Sequence, residues 1–218
     1  MSPGAEHPGA LQLTITLALA SIAPALVLTC TCFGRFVIVF SFLKNGLGTP
    51  GAPPNQVVVG MALFMTMFAM APVGQTVYER ALGPYLAGKL DERQALEAGT
   101  PALRKFLLER TRGTDLAVFY EVSRGARPNA AADVPLSIAI PAFVLSELRT
   151  AFQMGLCVLL PFLVIDLLVA MVLSSMGMVM LPPTVVALPI KLLVFITVDG
   201  WQLVVRSLLR GVAAGAGS

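Results

Sequence analysis

The sequence predicts an all-α, membrane-associated fold: two long apolar helical hairpins flanking a small polar helical insert. Composition comes first. Of 218 residues, 56% are hydrophobic and 12% charged, with a mean hydropathy of +0.82, whereas a soluble domain carries about 45–50% apolar and about 25% charged residues. Half the usual charge cannot cover a globular surface, which excludes a free water-soluble monomer. The second observation is where the charge lies: of 27 charged side chains, 17 fall between Glu79 and Asp133. Third, no segment alternates with the two-residue period of a strand. At this length one domain is the default.

Residues 1–10 read as a flexible N-terminus. They hold no Lys or Arg, so the positive region of a signal peptide is missing and the first apolar stretch is expected to be retained. The first hairpin spans 11–73. It runs from Leu11 to Phe33, continues as Phe36 to Leu43, and resumes as Val57 to Val73. Its turn, 45–56, is dense in Gly and Pro and cannot be helix. No charge occurs between Asn45 and Tyr78. Cys30 and Cys32 sit in an apolar run, where free cysteine behaves as a small hydrophobe; three cysteines make no disulfide framework.

The polar insert covers 74–135 and reads as three short helices. Asp91 caps one that begins at Glu92 and stops at Gly99. Thr100-Pro101 opens the next, where a cap precedes Pro at the first helical position. That helix lays down an apolar stripe of Leu103, Phe106 and Leu107 and ends at Gly113. A third begins near Thr114-Asp115, carries Leu116, Phe119 and Tyr120, and ends by Gly125; Arg127–Pro135 is a linker. The second hairpin spans 136–210. Its first arm is Leu136 to Leu173, its turn 174–183, and its second arm Val185 to Val205; residues 211–218 read as a flexible C-terminus. Between Thr150 and Ile190 the only charge is Asp166.

The absent chemistry excludes several function classes. The one histidine, His7, lies in the N-terminal tail, which removes most zinc, haem and Ser-His-Asp arrangements. No phosphate-binding glycine fingerprint occurs. Asp166 and Asp199 match no intramembrane protease pattern. A net charge of +3 without a basic stripe gives no reason to expect nucleic acid. No catalytic residue, metal or cofactor is expected, and an enzyme is not.

Two features remain. Asp166 and Lys191 each stand inside an apolar segment, where an ionisable group is expensive unless paired or facing a cavity. With the turn centred near Met178, both lie about 18–20 Å from it on opposite arms, so they can meet as a buried pair. That pair either relays protons or ions, or fixes the register of the hairpin or docks a subunit, and the structural reading is preferred. The ten methionines are the second feature. Met61, Met65, Met67 and Met70 read as helix packing. Met176, Met178 and Met180 lie in the second turn, where packing is a weaker explanation. Several copies around an axis would make of them a flexible apolar gasket.

Motif after motif, the residues resemble the FliP/SctR family of type III export-gate proteins. The resemblance runs through Gly34-Arg-Phe-Val-Ile-Val-Phe40, Leu47-Gly-Thr-Pro-Gly-Ala-Pro-Pro-Asn-Gln-Val57 and Ser146-Glu-Leu-Arg-Thr-Ala-Phe-Gln153. It continues through Pro161-Phe-Leu-Val-Ile-Asp166, Met176-Gly-Met-Val-Met-Leu-Pro-Pro183 and Val198-Asp-Gly-Trp-Gln-Leu203, covering roughly Leu11 to Leu209. The turn at 47–57 is closer to the flagellar than to the virulence branch.

The resemblance implies a core subunit of the flagellar gate in the bacterial inner membrane and basal body. It implies five copies assembled with FliQ-like and FliR-like subunits and further export-apparatus proteins, passing unfolded secreted substrates. It implies that the turn seals the channel, with Met176, Met178, Val179 and Met180 as gasket and a valine where many members have another methionine. Asp166 and Lys191 fall on the family's charged positions, and the hairpins pack against sister subunits, with less contact to membrane lipid than hydropathy implies. Nine Lys/Arg in the insert would argue for the cytoplasm, yet the family places this insert in the periplasm, and the positive-inside rule weakens for loops near 60 residues. The alternatives are an equivalent injectisome subunit or a small ion-coupled transporter.

Overall fold

The computed structural model describes residues 28–49, 51–123, 128, 130–178 and 180–214, together with residues 17, 21 and 25. The expectations for residues 1–10, for most of 11–27 and for Val179 lie outside the described residues. The order is α1 (Phe33–Leu47), α2 (Asn55–Val77), a π turn (Tyr78–Leu82) running into the four-residue α3 (Gly83–Leu86), α4 (Glu92–Arg110) and α5 (Gly113–Ser123). A 3-10 turn (Ala131–Asp133) leads to α6 (Leu136–Ser175), α7 (Pro183–Thr197) and α8 (Gly200–Ala214). No strand occurs among the described residues.

Local chemistry accounts for most of the boundaries. Gly48 ends α1 in the left-handed region at φ 75°, its N–H donating to Asn45 O, a conformation glycine adopts without a Cβ penalty. Asp91 starts α4 with a reciprocal capping box: its carboxylate accepts from Gln94 N while the Gln94 side chain accepts from Asp91 N, satisfying two donors that lack helical partners.

Helix α4 does not stop at Gly99. It runs unbroken through Gly99-Thr100-Pro101, which corrects the expectation of two helices there. A Cβ on Gly99 would lie 3.3 Å from the Cβ of Ala81 and 3.8 Å from Val77, so this glycine permits close approach to the π turn. Thr100 Oγ1 meanwhile donates to Leu96 O within the helix.

The second arm of the second hairpin is also corrected. It breaks between Val198 and Asp199, and α7 and α8 meet at a 63° bend. Asp199 takes φ 51°, and the chain can follow with Gly200 because a Cβ there would lie 2.1 Å from the Phe195 ring. Residues Gly211–Ala214, expected in the loose C-terminus, continue α8, with Val212 buried.

Packing joins the two apolar halves. Helix α1 lies along α6, close enough that a Cβ on Gly155 would be 2.5 Å from Phe42 and one on Gly46 2.6 Å from Phe162. The main core gathers Phe36, Val39, Phe40 and Leu43 of α1 with Ala62 of α2, Phe162 of α6, Phe195 of α7 and Leu208 of α8. A second core, with Phe106, Leu107, Tyr120 and Phe143, seats the insert on the first turns of α6.

Two helical stretches, Asn55–Leu86 and Leu136–Ser175, are long and apolar enough to cross a membrane. The 40 residues of α6 amount to about 60 Å at 1.5 Å each, twice the roughly 30 Å of bilayer hydrocarbon. Only part of α6 can therefore lie in lipid. Its apolar portion after Thr150 is the part suited to it.

Candidate functional site

The tip of the second hairpin is built by a complete helix-ending motif. Gly177 adopts φ 74°, its N–H donates to Ser174 O at 3.1 Å, and Met178 N donates to Leu173 O at 3.0 Å. These two bonds satisfy carbonyls that the last turn of α6 leaves open. After the turn, Pro183 stands at the first position of α7, where its missing N–H costs nothing. The methionines between these stops are exposed: Met176, Met178 and, at 98%, Met180. Met178 and Met180 thus sit on a sharply terminated hairpin with their side chains free of the chain's own core.

Asp166 on α6 and Lys191 on α7 are brought together. Lys191 Nζ donates to Asp166 Oδ2 at 2.6 Å and to the carbonyl of Gly46 at 2.9 Å. The ammonium is buried, the carboxylate about a third exposed. The second bond was not legible in the sequence. It reaches the end of α1, across 145 residues, so one lysine clamps three helices. Asp199, by contrast, sits at the α7–α8 break and lines a cleft that Arg206 and Arg210 also line.

A second buried ion pair escaped sequence reasoning. Arg35 of α1 donates from Nε to Glu147 Oε2 at 2.8 Å and from Nη2 to Glu147 Oε1, a bidentate fork, with both side chains buried. The criterion applied to Asp166 and Lys191, an isolated charge in apolar surroundings, would have singled out Arg35, though not Glu147, which stands two residues from Arg149. Beside it, Ser146 Oγ donates to Asp115 Oδ2 at 2.7 Å and accepts from Arg112 N at 3.0 Å. Arg149 adds a bond to Asp115 Oδ1 at 3.1 Å. Asp115 is almost fully buried, so this network pins α5 of the insert to α6.

At the junction of α4 and α8, Arg110 Nη2 donates to Val212 O at 2.9 Å, and its guanidinium lies 4.0 Å over the Phe106 ring. Burial lowers its pKa, which still leaves the group charged at any physiological pH. Among the described residues no group of three or more His, Cys, Asp or Glu side chains is placed to hold a metal.

The stretch that carries these features, residues 16–208, matches the family model of the FliP family. The chain belongs to the FliP family. It is 44% identical over 199 residues to "Flagellar biosynthetic protein FliP" of Bacillus subtilis, covering 91% of this chain and 90% of that protein. The protein of the same name from Pectobacterium carotovorum is 46% identical over 199 residues, 91% of this chain and 77% of the relative. That from Caulobacter vibrioides is 42% identical over 206 residues, 94% and 77%. As a FliP-family member with two helices able to span a bilayer, the chain is a membrane-associated flagellar biosynthesis protein.

Proposed function

We propose that this chain is a core subunit of the flagellar protein-export gate. Sister copies, five by the family's pattern, join FliQ-like and FliR-like subunits in the bacterial inner membrane. They surround a channel that passes unfolded flagellar proteins. The insert between residues 74 and 135 faces the periplasm, and the two apolar hairpins, 11–73 and 136–210, pack against neighbouring subunits and lipid. Met176, Met178, Val179 and Met180 close the channel as an apolar, deformable gasket, and Asp166 with Lys191 holds the hairpin that carries them.

The observation that carries this reading is the 98% exposure of Met180 on a turn whose start is fixed by the hydrogen bonds of Gly177 N and Met178 N to the end of α6. A rigid turn with free methionines gives a seal that fits any passing side chain, since the thioether chain is unbranched and polarizable. Ion-coupled transport fits less well. Lys191 already gives two hydrogen bonds to protein acceptors.

The test replaces Met178 and Met180 together by Ala in cells carrying the whole export apparatus. Membrane permeability to small ions should rise while the complex still assembles with its partners, as read by native mass spectrometry. An assembled complex that stays tight, with normal export, would remove the gasket role. A chain that remains monomeric when expressed with both partners would remove the gate itself.

A further inference from the structure

We propose that α7 is a lever carrying one end of the methionine turn, with Lys191 as its fulcrum, Asp199 as its joint and the groove beside α6 as the room for its stroke. The inference deepens the gasket role proposed above and rests on it.

The joint is one residue long. Asp199 N donates back to Ile196 O at 3.1 Å, while Leu203 N of α8 donates to Asp199 O at 3.0 Å, so Asp199 ends one helix and starts the next. It does so at φ 51°, a left-handed conformation that a residue with a Cβ holds only where its surroundings impose it. Phe195 bridges the bend: its ring fills the space beside Gly200 and meets Trp201 edge-on at 5.5 Å. A direction change concentrated at one residue between two elements is the usual form of a hinge.

Between this elbow and α6 lies an open groove of about 560 Å³. Cys157, Pro161 and Ile165 of α6 line one wall, and Val198, Leu203 and Ser207 the other. Protein interiors leave few voids larger than a water molecule, so a space of this size beside a joint lets the elbow move toward α6 without displacing packed atoms.

Lys191 converts that movement. Its Nζ is tied to Asp166 on α6 and to the Gly46 carbonyl on α1, which holds the middle of α7 in place. By helical rise, Val198 lies about 10 Å to one side of Lys191 and Pro183 about 12 Å to the other. When the elbow drops into the groove, the turn end of α7 swings away from α6 by a similar distance. The buried contact opposing this swing is small, formed by Val169, Leu173 and Ala187. Met178 N is bonded to Leu173 O and stays with α6, whereas Met180 leads into Pro183 and α7. The stroke therefore separates two methionines of the gasket.

Cys157 supplies a wedge for the test, since it is exposed in the groove while Cys30 and Cys32 are buried. N-phenylmaleimide is added to cells carrying the whole export apparatus, and mass spectrometry reads labelling of Cys157 in the assembled complex. Export should fall by about tenfold or more, because the adduct overfills a space that the swung helix must occupy. Ion permeability should stay low and the complex whole. Cells with Cys157→Ser should ignore the reagent, and Ser207→Phe, a filler on the opposite wall, should reduce export without it. Labelled complexes that export normally, or a Ser207→Phe variant that does, overturn the lever. So does a Cys157 that the maleimide cannot reach in the complex, because a neighbouring subunit then fills the groove. A wedge that raises ion permeability or dissociates the subunits overturns it too. Replacing Met178 and Met180 by Ala separates the two readings: a complex that stays tight removes the gasket itself, whereas a leaking one whose export no wedge affects removes only the lever.

Discussion

Replacing Lys191 by Met keeps the length of the side chain and deletes its ammonium, which makes it the sharpest probe of the clamp. Breaking a fully buried ion pair from one side costs about 3–5 kcal/mol, because the other charge is stranded. Here the stranded carboxylate is about a third exposed rather than enclosed, so the cost falls below that of a fully buried pair, to about 2 kcal/mol. The bond to the Gly46 carbonyl goes as well, at about 1 kcal/mol. The single variant should therefore lose about 3 kcal/mol, or roughly 6–12 °C in Tm for a chain of this size. Adding Asp166→Leu turns the pair into apolar contact and should return about 2 kcal/mol, leaving the unpaired Gly46 carbonyl as the main residual cost. Thermal unfolding in mild detergent, followed by the fluorescence of Trp201, which packs edge-on against Phe195 one turn from Lys191, reads all four corners of the cycle. Purely additive losses, or a single variant within 0.5 kcal/mol of the parent, would refute a coupled clamp. Motility adds a further discrimination: a stable, motile double variant is incompatible with an ion relay through these two groups.

Two further outcomes follow from the packing. Arg35→Leu strands the buried Glu147 carboxylate and should lower stability by about 3–5 kcal/mol; pairing it with Glu147→Leu should recover most of the loss in the same unfolding assay. Gly155→Ala places a methyl group 2.5 Å from the Phe42 ring and should destabilise by about 1–3 kcal/mol; Phe42→Leu in the same chain should relieve it, whereas no relief would show that α1 and α6 do not meet there.

Element type was legible because it depends on local rules. The run Asn45–Gln56 was readable as the site of a turn, but not its bounds: α1 continues to Leu47 and α2 starts at Asn55, so the non-helical break is only residues 48–54. Asp91 was readable as a cap because the side chain that completes its box lies three residues away. Gly99-Thr100-Pro101 misled for the same reason. Its residue types match a stop and a start, and only the neighbouring Ala81 and Val77 reveal that glycine is needed for close approach. The Val198–Asp199 break was missed because hydropathy continues smoothly across it. The bend is set by Phe195, whose ring occupies the space a Cβ at residue 200 would need. In the candidate site, the methionine turn and the possibility of an Asp166–Lys191 contact could be read from spacing along one hairpin.

By itself, then, the sequence determined that this chain is helical, that its apolar segments are long enough for lipid, and that its scarce charges stand where they must find partners. Those properties follow from residue type and spacing of 3.6 per turn. Only the tertiary structure decided which partners those are. Arg35 meets Glu147 across 112 residues, and Lys191 reaches Gly46 across 145. Both depend on α1 lying against α6, a contact chosen by the small residues Gly46 and Gly155 opposite Phe162 and Phe42. Shape complementarity between surfaces far apart in the chain has no local periodicity, and so leaves no pattern along the sequence to read.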